Sequence, residues 1–379
     1  MHKTKYLIVG AGMTGDMAAK GIREHDSEGP ITMIGADPHP PYKRPLLTKG
    51  LWQGAPEEKL WREPAEGVEL VTGRSVVSLD LVAHTATSDA DEGYGWEKLL
   101  LATGAKPREI PGAEGVIWFR TLQDYRRLRE IAPEGSHVVV IGGGFIGSEI
   151  AAGLVGNGCR VTMLFPEPGI GFRLFPLGLS QFVADYYREK GVDVRTEELV
   201  ASASGDRVET ESGFTLDADA VVAGLGVIAD TELAESAGLE TADGIVVDEY
   251  GRVPGHEDVF AAGDVARFPV CALGTTMRIE HEDHANSHGH AVGANMAGAD
   301  TPYDHLPFFY SDLFDLGYEA VGLVDSRLEA IENWQEPYRK GVVTYVEDGR
   351  PRGVLLWNVW DKLDDARELI RAGEGALAV

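Results

Sequence analysis

Short apolar runs bounded by glycine punctuate the first two thirds of the chain: Tyr6–Val9, Ile31–Ile34, Leu99–Ala102, Val138–Ile141, Val161–Leu164 and Ala220–Ala223. Runs of this length without polar alternation are strands covered on both faces, which is the condition of parallel sheets. Alanine-rich or mixed-polarity stretches of helical length separate them, among them a segment from about Leu122 to Ile131, so strand and helix alternate as in α/β domains. From about Thr301 the period changes. Phe308-Phe309-Tyr310 and the alternating runs Gly317–Val324, Gly341–Val346 and Gly353–Val359 predict an antiparallel sheet, followed by a polar helix from about Lys362 to Ala372.

Two of the apolar runs lead directly into the pattern G-x-G-x-x-G, as GAGMTG (Gly10, Gly12, Met13, Thr14, Gly15) and GGGFIG (Gly142, Gly144, Phe145, Ile146, Gly147). A single such hexapeptide is weak in a chain with 47 glycines, but each copy follows a strand-like run and opens an alanine-rich helix, and both have that context. The first glycine makes the tight turn, the second lets the backbone approach a pyrophosphate, and the third lets helix pack on strand. The pyrophosphate is then met by the unpaired N–H groups of a helix N-terminus. An acidic residue about 20 positions on is expected to hold a ribose, and Asp37 and Glu167 stand there.

The second unit closes at Ala220–Gly226, and Asp258–Asp264 then supplies a further strand ending in a Gly-Asp pair, whose natural place is back in the first unit. The sequence therefore reads as two Rossmann-like dinucleotide-binding domains, one inserted in the other, plus a small C-terminal α+β domain: 1–114 and 231–300 for the first, 115–230 for the second, 301–379 for the third. The formal charge of -27 argues against nucleic acid and anionic membrane surfaces as partners. No signal peptide and no apolar stretch of spanning length is evident, making the cytoplasm the expected location. With only Cys159 and Cys271, far apart, there is no C-x-x-C pair, and electron transfer has to run through a bound cofactor. His281, His284, His288 and His290 cluster with Glu280, Glu282 and Asp283, but without H-E-x-x-H or a separate third ligand, so no metal is expected.

PYKRPLLTKGLW (Pro41–Trp52), LATGAKP, VVVIGGGFIGSE, LFPEPG, FAAGDVARF, RIEHEDHA, FFYSDLFDLGYEAVGLVDS and KGVVTYVEDGRPRGVLLWNVW together resemble the glutathione-reductase-like two-dinucleotide flavoproteins. The later blocks are similar to the apoptosis-inducing-factor and ferredoxin-reductase branches, although the link between Ser326 and Tyr338 is short where mitochondrial members carry a long insertion. The resemblance implies that FAD is surrounded by Gly10, Gly12, Met13, Thr14, Gly15, Asp37, Arg44, Lys49, Thr103, Gly104, Gly263 and Asp264, with Glu280, His281 and Trp357 near flavin and nicotinamide. It places Gly142, Gly144, Phe145, Ile146, Gly147, Glu149, Glu167, Arg173 and Gly226 around NADH, Glu167 favouring NADH over NADPH. Lys49, Glu149, Phe145, His281 and Trp357 are the residues it implies for catalysis: a Lys49–Glu149 salt bridge beside the flavin, Phe145 as a shield over it, and Trp357 as an aromatic wall. Relatives that reduce peroxides or disulfides carry a cysteine near the flavin. Neither cysteine here falls at such a position, and Thr48 stands next to Lys49.

The expected function is thus a FAD-dependent NADH oxidoreductase that passes hydride to FAD and electrons on to a ferredoxin- or rubredoxin-type iron–sulfur carrier, a quinone or oxygen. The alternative is a redox-responsive protein in which NADH reduction yields a persistent charge-transfer complex and drives dimerisation or partner binding. A monomer or homodimer is compatible with either.

Overall fold

The computed structural model describes residues 1–375. The chain divides into two compact units: Met1–Arg44, Glu57–Lys106 and Ile228–Pro307 form the first, and Pro45–Pro56, Pro107–Val227 and the residues from Phe308 onward form the second.

The first unit is built on a six-stranded sheet in the order Arg252–Val253, His256–Ala261, Lys98–Leu101, Tyr6–Val9, Ile31–Gly35, Val68–Thr72. All neighbours are parallel except the first pair. The strand His256–Ala261 lies beside Lys98–Leu101 although some 150 residues separate them, which is the insertion that the apolar pattern predicts. Two helices, Met13–His25 and Glu282–Met296, pack against each other at backbone contact distance: a Cβ added at Gly293 would lie 2.0 Å from the Ala18 oxygen, and one at Gly21 2.1 Å from the His290 oxygen. Tyr6, Ile8, Ile22, Met33, Leu100, Phe260 and Val292 fill the core between sheet and helices.

The second unit carries a five-stranded parallel sheet in the order Ile117–Trp118, Ala220–Ala223, His137–Ile141, Arg160–Leu164, Val192–Arg195. It also carries an antiparallel sheet in the order Phe308–Leu313, Leu316–Gly322, Arg350–Trp357, Lys340–Glu347, Glu329–Glu336. The helix Leu122–Ile131 begins at a reciprocal cap, in which the Thr121 side chain accepts from the Asp124 N–H and the Asp124 carboxylate from the Thr121 N–H. The strand Glu329–Glu336 was not legible in the hydrophobic pattern because it is a polar, solvent-facing edge, EAIENWQE. The C-terminal helix spans Leu363–Ala372 and buries Ala366 and Ile370. Among the described residues no helix is long and apolar enough to cross a membrane.

Candidate active site

In the first unit the strand Tyr6–Val9 feeds the first glycine turn. Gly10 has φ +118°, and a Cβ there would lie 2.0 Å from the Ala102 carbonyl oxygen; a Cβ at Gly15 would lie 2.1 Å from the Gly10 oxygen. These two glycines are demanded by the protein's own packing. Gly12 is different. Its φ of -91° suits any residue and a Cβ there would meet nothing within 4 Å, so no protein atom explains the missing side chain. Gly12 is also the N-cap of the helix Met13–His25 and has no side-chain cap, which leaves that helix terminus to an outside acceptor.

The second unit repeats the arrangement. Gly142 has φ +113° and would clash with the Gly224 oxygen at 2.4 Å, Gly147 would clash with the Gly142 oxygen at 2.0 Å, and Gly144, an uncapped N-cap with φ -88°, faces open space. Gly143 has the Phe165 ring 2.9 Å from a would-be Cβ, which closes the turn from behind. Two open, glycine-lined helix termini fit two pyrophosphates, one in each unit.

Around the first terminus the structure gathers several of the expected residues. The Asp37 carboxylate accepts from the Tyr42 hydroxyl at 2.9 Å and from the His39 N–H at 3.1 Å, and the His39 ring nitrogen lies 2.9 Å away. The Arg44 guanidinium lies 5.4 Å from the centre of the Tyr42 ring. Thr103 donates its hydroxyl to the Asp230 carbonyl at 2.7 Å, and the neighbouring Gly104, at φ +77°, accepts from the Asp230 N–H. Thr14 is buried against Gly263, where a Cβ would come within 2.2 Å of its hydroxyl. Met13, the first residue of the helix, stays half-exposed. Gly263 and half-buried Asp264 open a turn whose geometry is fixed by His288: the Gly263 N–H donates to its Nδ1 at 3.2 Å. Glu280 is exposed and pairs with Arg278 at 2.5 Å; Arg278 also donates to the Asp264 carbonyl at 3.3 Å. His281 is the N-cap of the helix Glu282–Met296, and burial holds its imidazole down to about 4 against the pull of Asp264 and Asp283.

Sequence reasoning missed Asp16 in this unit. It is fully buried in the first turn of the fingerprint helix and accepts from Arg62 at 2.6 Å and Lys20 at 3.0 Å, so two cations face one carboxylate. An acidic residue directly after the third glycine was the available signal.

Around the second terminus, Phe145 starts the helix Phe145–Gly156 half-exposed, edge-on to Phe309 at 5.5 Å and tilted against Tyr318 at 6.4 Å. Ile146 packs over Gly224, and Gly226 takes φ +82° with open space beside it. Glu167 is three-quarters covered, and Arg173, almost wholly exposed, reaches it at 3.4 Å.

The second unit also contains the ion pair. Lys49 Nζ lies 2.5 Å from Glu149 Oε1, and both side chains are largely buried. The same oxygen accepts from Ser311 at 2.5 Å, and Oε2 accepts from Thr48 at 2.5 Å. The Tyr310 ring centre is 4.9 Å from the Lys49 ammonium. Burial pushes the Tyr187 phenol well up, with the charge of Glu149 adding to it.

Trp357 does not take the expected place. It is 0% exposed, its indole N–H donates to the Tyr338 carbonyl at 2.8 Å, and its ring is enclosed by Phe175 and Tyr318, so no face is left for a cofactor. The half-exposed aromatic beside Lys49 is Tyr310. In the histidine cluster, His284 and His288 stack at 4.7 Å inside a column with Phe268 and Tyr303. Among the described residues no group of His, Cys, Asp and Glu is arranged to hold a metal ion.

The sequence model of the pyridine nucleotide-disulphide oxidoreductases matches residues 4–289. The chain belongs to that family. The model of the C-terminal region of mitochondrion-associated apoptosis-inducing factor matches residues 292–337 and 331–372. Apoptosis-inducing factor 1 of Dictyostelium discoideum is 32% identical, over 98% of this chain and 79% of its own length. The ferredoxin–NAD(+) reductase component of an anthranilate 1,2-dioxygenase system from Burkholderia cepacia is 33% identical, over 98% and 95%. Among solved structures, the covalent complex of putidaredoxin reductase with putidaredoxin aligns with a TM-score of 0.91 at 29% identity, covering 98% of this chain and 94% of that one.

The protein is therefore a flavoprotein reductase of the apoptosis-inducing-factor and ferredoxin-reductase type, and its family implies FAD and a pyridine nucleotide. Cys159 is enclosed against the carbonyls of Ala132 and Pro133 with its thiol pushed up by burial, and Cys271 is exposed and free.

Proposed function

We propose that this reductase draws electrons from NADH through FAD and delivers them to a small iron–sulfur carrier protein. The observation that carries the reading is the pair of uncapped helix termini at Gly12 and Gly144, each at a glycine that no protein neighbour requires and with room for a pyrophosphate. FAD, when bound, accepts an electron pair from a reduced nicotinamide and gives electrons up one at a time. The chain's own residues bind and orient. Asp37 and Glu167 stand at the two strand ends where each ribose is met, Thr14 and Gly263-Asp264 shape the first cradle, and Phe145 and Ile146 form the lip of the second. Lys49, anchored on Glu149, supplies a preorganised cation for negative charge that develops on reduction. Half-buried His281, with a lowered proton affinity, remains a neutral hydrogen-bonding group at neutral pH. The two domains read from the fingerprints, with the C-terminal sheet as a third, are the corresponding division of labour, in a cytoplasmic monomer or homodimer.

The decisive experiment is rapid-mixing reduction of the purified holoprotein by NADH and NADPH, followed by reoxidation with a ferredoxin, a quinone and oxygen. NADH is expected to give the higher kcat/KM, because the carboxylate of Glu167 repels a 2′-phosphate. Glu167→Gln should narrow the gap, and equal efficiencies in the parent would remove that role. With an acidic carrier, the net charge of -27 predicts a transfer rate that rises or stays flat as salt screens repulsion. A steep fall with salt would place a local cationic docking site above the global field.

A second reading has its own support in the match to the apoptosis-inducing-factor C-terminal region. In it, reduction changes the oligomeric state or partner binding. Slow reoxidation by every acceptor, with a shift in sedimentation on adding NADH, would favour it.

A further inference from the structure

We propose that Ser311 is a positioning residue for Lys49, acting through Glu149, and so sets where the cation of this reductase stands. The proposal rests on the reading that Lys49 and Glu149 serve the flavin.

A lysine–glutamate pair is by itself a loose device. The ammonium is a compact point charge without the planar fork of a guanidinium, and both side chains have several rotatable bonds. Here the carboxylate is held independently of the lysine. Thr48 donates to Oε2 and Ser311 to Oε1, each at 2.5 Å, so a hydroxyl grips each oxygen and fixes the plane between them. The two hydroxyls are not equivalent. Thr48 adjoins Lys49 on one short segment and moves with it, whereas Ser311 belongs to the strand Phe308–Leu313, is 1% exposed, and is locked in register opposite Tyr318. Ser311 is therefore the reference point that comes from another element.

Two further contacts support the role. The residue before Ser311 is Tyr310, whose ring lies 4.9 Å from Lys49 Nζ, so one strand addresses both members of the pair. Ser311 also shares Oε1 with Lys49. As an uncharged donor it takes up part of that oxygen's hydrogen-bonding capacity without adding charge, which leaves the ammonium less completely neutralised by its partner.

The test uses FAD-loaded protein and two readouts: the saturating rate of flavin reduction by NADH, and the flavin midpoint potential measured without NADH. Ser311→Ala is expected to slow reduction about tenfold, less than loss of a direct electrostatic contact typically costs. It should leave KM for NADH within about twofold and move the potential towards that of Lys49→Ala, with an unchanged melting temperature. Ser311→Thr, which keeps the hydroxyl, should restore both readouts. In a Glu149→Ala background Ser311→Ala should add nothing.

A parent-like rate and potential in Ser311→Ala would overturn the proposal, as would a Thr variant as impaired as the Ala variant, or additive effects with Glu149→Ala. If Ser311→Ala does not fold, Ser311→Cys takes its place with the same readouts. Failure of the underlying reading looks different: Lys49→Ala and Glu149→Ala would then themselves leave rate and potential unchanged. If they are impaired and Ser311→Ala is not, only the role of Ser311 falls.

Discussion

Alanine at Gly15 will disrupt the first unit, whereas alanine at Gly12 will leave the chain folded and weaken its hold on flavin. The two positions stand three residues apart in one hexapeptide, yet the structure assigns their costs to different partners. A Cβ at Gly15 falls 2.1 Å from the Gly10 carbonyl oxygen and 3.1 Å from the Met33 sulfur, and the oxygen is backbone that cannot swing aside. Helix and strand have to separate. The cost belongs with the most severe single substitutions, above about 4 kcal/mol. At Gly12 the added methyl meets no protein atom, and the residue's φ of -91° is open to alanine, so apo stability should change by about 0.5 kcal/mol or less. The loss appears only where a pyrophosphate has to approach, as a fall in FAD affinity of at least about tenfold, or about 1.4 kcal/mol. The second unit provides the replicate. Gly147→Ala should destabilise, since its Cβ would lie 2.0 Å from the Gly142 oxygen, and Gly144→Ala should raise KM for NADH in a protein that still melts like the parent. Melting of the apo-protein and flavin titration separate the two effects. A Gly12→Ala protein that retains FAD like the parent would show that the open space at that helix terminus is not the pyrophosphate site.

The motifs were legible in the sequence because each glycine answers a local demand that a hexapeptide can state. Residues whose placement depends on long-range packing were not. Trp357 and Tyr310 are both aromatic residues in strands of the C-terminal sheet, and nothing in their neighbourhoods tells a core ring from a half-exposed one. The register of Tyr318 opposite Trp357 decides it, by turning the indole into the protein. Segment Pro45–Pro56 lies in sequence within the first nucleotide unit but groups with the second. The cause is Trp52, whose indole fits against Gly153 so closely that a Cβ there would lie 2.8 Å from its ring. Its N–H donates to the Leu47 carbonyl, and its own carbonyl accepts from Asn157. The glycine that admits the indole sits in a helix where nothing marks it as special. The histidine cluster, from which no metal is expected, leaves its actual arrangement unstated in the sequence. The i, i+4 spacing of His284 and His288 brings the rings into a stack with Phe268 rather than around an ion.

That histidine column should make the protein sensitive to acid. His284 and His288 are fully enclosed, and burial lowers His288 to about 3 and His284 well below its ordinary value, with the neighbouring His288, His281 and His305 adding to the effect on His284. Both stay neutral in the folded chain while the unfolded chain protonates them near 6.5. The unfolded state therefore binds more protons between about 6.5 and about 3, and folding stability falls as pH drops through that window; above it the contribution is complete. Each histidine contributes a slope of about 1.4 kcal/mol per pH unit, and the two together about 2.7 kcal/mol. Many carboxylates titrate over the same range, so the informative quantity is a difference. His284→Phe keeps the ring stacking against Phe268 and His288 and gives up a long 3.4 Å contact to the Tyr303 hydroxyl and a polar contact with the Gly263 backbone. Relative to the parent, it should be about 2 kcal/mol more stable at pH 5 than at pH 8, because the folded state no longer has to exclude that proton. Chemical denaturation of both proteins at the two pH values measures the difference directly. The same gap at pH 5 and pH 8 would mean that His284 is protonated in the folded state, or that water reaches the column.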